Sequence, residues 1–265
     1  VEGIMLKEYN NYLNLNGKSK NTIEDYLSKT NIFLSKVKVI NQETVNEFLL
    51  AIKTNKAQAT YNKYLAILRS YFEFLKPDIK LPKDIKVDKK LPKVITQEYF
   101  EKTVISTVRE ISSKPYRDIA ILYFMFFSGV RVSEVELVSR KDINLEKREI
   151  IITSSKGKSQ YKVYFPERIK KIFTVYFGIE AEQINAFNIR TGSLKMRFKT
   201  LNPYIEEVNF HPHLLRASFA TMYLENGGDI VYLSQILGHK NLQTTMKYLN
   251  INPQKRKEDY DKTIK

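Results

Sequence analysis

The sequence predicts a mainly α-helical protein with a small antiparallel β-sheet, arranged as two domains. Three observations carry this expectation. Apolar residues recur at helical spacing through most of the 265 residues. One pair of β-rich segments, 149–153 and 160–165, flanks a short polar loop, which is a hairpin pattern. A stretch rich in proline and lysine, from Pro77 to Pro92, interrupts the helical pattern and divides the chain into residues 1–76 and 93–265.

The first domain reads as four short helices. Leu6, Tyr9 and Leu13 form one stripe, which Gly17 is placed to stop. Ser19 or Asn21 caps a second helix bearing Ile23, Tyr26, Leu27, Phe33 and Leu34, and Asn41 precedes a third with Val45, Phe48, Leu49 and Ile52. Tyr61, Tyr64, Leu65, Leu68, Phe72 and Leu75 mark the fourth. The segment 77–92 holds three prolines and five lysines, leaving little to pack, and reads as an extended linker.

In the second domain Thr96 caps a helix running to about Ile111, and Pro115 starts another through the apolar run Ile119–Phe127, ended by Gly129. After the hairpin, helices are expected over 167–177, 193–201, 213–225, 229–237 and 241–249. A charged tail, 252–265, has little apolar content of its own.

The formal net charge is +15, spread as roughly +6 before Leu91 and about +9 after it, so both halves favour a polyanionic partner. The absence of cysteine excludes disulfides and cysteine-based zinc sites. The longest apolar run is too short to span a bilayer. The N-terminus lacks a basic region followed by an apolar stretch, so no signal peptide is expected. The expectation is a cytoplasmic, nucleic-acid-binding protein with no membrane contact. Gly157-Lys158-Ser159 ends like a phosphate-binding loop, but Ile152 stands where the earlier glycine belongs, and the segment joins two strands. His211 and His213 lack a third ligand nearby, so no metal and no cofactor is expected.

A more specific set remains. Arg131 stands in SGVRVSE (128–134), Lys156 tops the hairpin, His213 and Arg216 form an H-x-x-R pair, His239 follows Leu237-Gly238, and Tyr248 comes nine residues later. In this order the segments resemble the catalytic domain of the tyrosine recombinase (lambda-integrase) family. SKNTIEDY (19–26) and ATYNKYLAILRSYFEFL (59–75) are similar to its helical core-binding domain, so the resemblance covers nearly the whole chain. With no additional arm domain, the chain looks most like compact Xer-type members of archaeal kind. One departure is Ala217, where the family often has histidine.

The chemistry suits these residue types. A phosphodiester under in-line attack gathers charge on its non-bridging oxygens, which Arg131 and Arg216 can hold, with His239 as a further donor. Tyr248 is the expected nucleophile, and the resemblance implies a 3′-phosphotyrosyl intermediate. His213 is the candidate base for the phenol. Lys156, with Lys158 as the alternative, is the candidate acid for the departing 5′-oxygen. Glu134 is expected to orient Arg131. The resemblance further implies a two-domain clamp on double-stranded DNA and a homotetramer on two DNA sites, with the tail reaching a neighbouring protomer. Dimer resolution and plasmid or viral integration both fit. So do two other classes: type IB topoisomerase-like relaxation, and a non-catalytic DNA-binding protein on the same fold.

Overall fold

The computed structural model describes residues 2–87, 91–154, 159–179, 185–239, 241–249, 260, 261 and 264. The chain divides into two compact units, residues 1–89 and 90–265. Among the described residues no helix is long and apolar enough to cross a membrane.

The first unit is built from α1 (Glu2–Leu15), α2 (Lys20–Lys36), α3 (Gln42–Asn55) and α4 (Gln58–Leu75). Their ends follow the local signals. Gly17 takes the left-handed conformation beyond α1, the Ser19 hydroxyl caps α2, and Asn41 with Thr44 forms a reciprocal cap on α3. The apolar stripes meet in one core around Tyr9, Leu13, Phe33, Phe48, Leu65 and Tyr71. Tyr9 and Tyr71 pack edge to face with ring centroids 4.9 Å apart.

The segment after α4 departs from the expected linker. It is extended through residue 87, but it is docked on the first unit. Ile79, Leu81 and Ile85 pack against the helical core. Asn62 pairs with Ile85 as a neighbouring strand would: its Oδ1 accepts from the Ile85 N–H at 2.9 Å and its Nδ2 donates to the Ile85 carbonyl at 2.7 Å. Gln42 does the same with Lys80, and Arg69 holds the Pro82 carbonyl and the Asp84 carboxylate. Proline and lysine content hid this, because the isoleucines between them alternate toward the protein while the lysines face water.

In the second unit a helical stretch runs through α5 (Gln97–Tyr99), a π-helical turn (Phe100–Ile105) and α6 (Ser106–Ile111). Thr96 caps it as expected, whereas nothing in the apolar spacing announced the π turn. Helix α7 (Pro115–Ser128) is the centre of the unit, with every residue from Ala120 to Ser128 buried. Phe100 stacks on its Phe126 at 4.1 Å. The buried Asp118 is paired with Arg117 and with Arg197 and accepts from the Ser112 hydroxyl.

A four-residue helix, α8 (Val132–Val135), follows α7. The sheet contains β1 (Ile143–Asn144), β2 (Glu149–Thr153) and β3 (Gln160–Tyr164), antiparallel in the order β1-β2-β3. The expected hairpin is β2–β3, in register from Glu149 opposite Tyr164 to Thr153 opposite Gln160. Ile150, Ile152 and Val163 turn inward. The remaining helices are α9 (Glu167–Ile179), α10 (Thr191–Leu201), α11 (Pro212–Glu225), α12 (Ile230–Ile236) and α13 (Gln243–Met246). Apart from Tyr260, Asp261 and Ile264, the tail from residue 252 lies outside the described residues.

Candidate active site

Arg131, His213, Arg216, His239 and Tyr248 all fall in the second unit, and the structure gathers the arginines and His239 around one short loop, residues 237–239. Lys156 and its alternative Lys158 lie outside the described residues. The loop that carries them is closed by the Ser154 N–H donating to the Ser159 carbonyl at 2.8 Å.

Arg216 lies one turn into α11 and is buried, 4% exposed. A guanidinium taken out of water needs acceptors for its donors. Backbone carbonyls supply them: Nη1 donates to Gly129 at 2.5 Å and Nη2 to Leu237 at 2.6 Å. Burial and then the charge of Arg131 bring its pKa down to about 10, so it remains a cation at neutral pH. Tyr161, Glu134 and Tyr248 oppose that shift.

Gly129 makes the first of these contacts possible. It ends α7 at φ +64°, and a Cβ there would stand 2.4 Å from Phe219 Cδ1 and 2.9 Å from Leu237 Cδ2. Only a glycine lets α7 end this close to α11 and α12.

Arg131 precedes α8, and Glu134 fixes it twice. The Glu134 carboxylate accepts from the Arg131 backbone N–H at 2.8 Å and from its Nη1 at 2.9 Å. The expected orienting role of Glu134 has this geometry. Nη2 of Arg131 donates to the Gly238 carbonyl at 3.2 Å. Consecutive carbonyls, of Leu237 and Gly238, thus each hold one arginine.

His239 comes next in the chain. Its Nε2 lies 3.0 Å from Arg216 Nη2, and its Nδ1 lies 2.8 Å from the Thr245 hydroxyl. An arginine can only donate, so Nε2 is the acceptor and the ring proton sits on Nδ1. Burial, followed by the charges of Arg216 and Arg131, lowers the His239 pKa to about 4. In the free protein His239 is therefore neutral and presents no Nε2 proton. This differs from the simple donor expected from the sequence.

His213 stands exposed in the first turn of α11, which His211 caps through its Nδ1. Loss of solvation and then the charge of Arg216 lower the His213 pKa, with His211, Lys247 and Arg131 adding to the effect. The shift favours the neutral form of the ring.

Tyr248 follows α13 and is 5% exposed, packed in an apolar cluster with Ala217, Phe219, Ala220, Leu233 and Leu237 of the same chain. Lys247 Nζ lies 4.9 Å from the ring centroid. Ala217, the departure noted above, is part of this packing. The expected helix 241–249 is shorter, with α13 flanked by turns, and the Asn241 side chain accepts from the Gln243 N–H.

Sequence reasoning missed Thr245, which is fully buried beside His239, and Tyr161, whose hydroxyl donates to Glu134. It also missed the three carbonyl anchors. Arg131, Arg216 and His239 thus form one cluster whose two fixed cations suit an oxyanion, while His213 on α11 and Tyr248 after α13 lie in the same unit. Among the described residues no group of three or more His, Asp or Glu gathers.

The phage integrase family model matches residues 94–255, and that of the phage integrase N-terminal SAM-like domain matches residues 6–77. The tyrosine recombinase XerA of Thermococcus onnurineus is 31% identical over 93% of this chain and 90% of its own. XerA of Pyrococcus horikoshii is 29% identical over 99% and 94%. A solved structure of a lambda integrase (75–356) dimer bound to a COC′ core site has a TM-score of 0.74 at 16% identity, covering 95% of this chain and 96% of that one.

Proposed function

The chain belongs to the phage integrase family and is an Xer-like site-specific tyrosine recombinase, a DNA-cleaving and rejoining enzyme; from that premise we propose how its residues divide the reaction. Tyr248 Oη attacks the scissile phosphorus, forming a 3′-phosphotyrosyl bond as the bond from phosphorus to O5′ breaks. His213 takes the phenol proton. Lys156 returns a proton to the leaving O5′. Arg131 and Arg216 hold the non-bridging oxygens, where charge accumulates in the transition state. The 5′-hydroxyl of a partner strand then reverses the attack, so the phosphotyrosyl bond conserves the energy for rejoining.

His239 has a conditional part. When a phosphate oxygen takes up Arg216, Nε2 is released from its acceptor role. The added negative charge raises the imidazole pKa and turns the ring into the further donor. One observation carries this reading: both arginines are fixed by adjacent carbonyls of residues 237 and 238, beside His239, in the domain that also holds Tyr248. The packing of Tyr248 within its own chain supports cleavage in cis.

Solved relatives bound to DNA sites support double-stranded DNA as the partner; four protomers on two sites, a cytoplasmic setting, and dimer resolution or plasmid or viral integration as the role complete the proposal. A library of nicked suicide duplexes with randomised cores tests the chemistry. Wild type is expected to become covalently linked to DNA, and Tyr248→Phe to bind without linkage. Equal adduct from both proteins would remove Tyr248 as the nucleophile.

A further inference from the structure

Tyr161 lies on β3 opposite Ile152 and has no part in the reaction as described above. Its hydroxyl donates to Glu134 Oε2 at 2.9 Å. Glu134 is completely buried, and its carboxylate is shared among three donors: Arg131 Nη1 on Oε1, and the Arg131 N–H and Tyr161 on Oε2. The ring makes a second contact. A Cβ added at Gly238 would stand 3.3 Å from Tyr161 Cε1, so the ring lies flush against that backbone. The Gly238 carbonyl is the other anchor of Arg131. Tyr161 therefore touches both groups that hold Arg131.

We propose that Tyr161 is a positioning residue for strand cleavage, joining the hairpin strand β3 to Arg131 through Glu134 and Gly238. This rests on the reading of Arg131 as a phosphate-holding group. Burial, and then the adjacent Glu134 carboxylate, push the Tyr161 pKa up, so the phenol stays a donor at working pH and does not compete with Tyr248. Because β3 begins where the 154–159 loop ends, the same contact ties the seat of that loop to the arginine. A hydrogen bond to a buried carboxylate is costly to lose, since the acceptor cannot turn to water instead.

The test is Tyr161→Phe in the full chain, which keeps the ring against Gly238 and removes only the hydroxyl. Single-turnover cleavage and duplex affinity are measured on a sequence recovered from the covalent capture. The cleavage rate is expected to fall about tenfold with affinity unchanged within about twofold, because the lost bond acts on a transition-state contact. In a Glu134→Gln background the same change is expected to cost less than about threefold, since the two residues act through one link. Cleavage within about twofold of wild type, a loss confined to affinity, or an equal loss in both backgrounds would overturn the proposal. A wild type that forms no adduct would instead overturn the assignment of Tyr248, which separates the two failures.

Discussion

Replacing Gly129 by alanine perturbs the point where α7, α11 and α12 converge on Arg216. The backbone there has φ +64°, and an L residue pays about 1–2 kcal/mol for the left-handed region. The new methyl would stand 2.4 Å from Phe219 and 2.9 Å from Leu237, both buried, so one ring and one isobutyl group must shift. Overpacking of this kind costs roughly 1–3 kcal/mol. Together the loss is about 2–5 kcal/mol, which corresponds to a fall in melting temperature of roughly 5–15 °C for a domain of this size. The shift also moves the Gly129 and Leu237 carbonyls that hold Arg216, so cleavage is expected to fall further than stability alone dictates. Thermal unfolding of Gly129→Ala, read beside Gly192→Ala, is the assay. Gly192 has open space around its Cβ position and lies in α10, where alanine is neutral or slightly stabilising. A Gly129→Ala protein melting within about 2 °C of wild type would refute the argument from close approach.

Arg216→Lys keeps the charge but cannot span the carbonyls of Gly129 and Leu237 together. Cleavage is expected to drop by about 100-fold or more in a single-turnover assay, with duplex affinity changed only a few-fold. The His239 pKa, lowered from 6.5 to about 4, makes proton uptake favour the unfolded chain, so its contribution to stability is complete above pH 6.5 and declines as pH falls toward 4. The pH dependence of stability between those limits is expected to be flatter for His239→Gln, by roughly 3 kcal/mol from the full shift and on the order of 1–2 kcal/mol once solvent screening of this half-buried ring is discounted. Asn62→Ala removes both hydrogen bonds to Ile85, and limited proteolysis is expected to cut within residues 79–87 faster, with a stability loss of about 1–2 kcal/mol.

Much of the fold was legible because its signals are local. Ser19, Asn41 and Thr96 cap the helices they were read to cap, Pro115 opens α7, Gly129 closes it, and the hairpin pairs in the expected segments. The docked stretch 77–87 was not legible, because its partners, Gln42, Asn62 and Arg69, are polar surface residues on helices far back in the chain. The same division runs through the site.

The sequence by itself determined which chemical groups are available and their order: two arginines, two histidines, a hairpin lysine and Tyr248. Side-chain identity and spacing encode that much. Tertiary structure alone decided how they are held. Carbonyls of Gly129, Leu237 and Gly238 fix the arginines, and every residue has a carbonyl, so nothing in a sequence marks those three. Tertiary contact with Arg216 likewise sets the His239 proton on Nδ1, and the fold brings Tyr161 to Glu134 across 27 residues of chain. Local free energy writes the elements into the sequence. Hydrogen bonds between distant segments exist only after those elements pack.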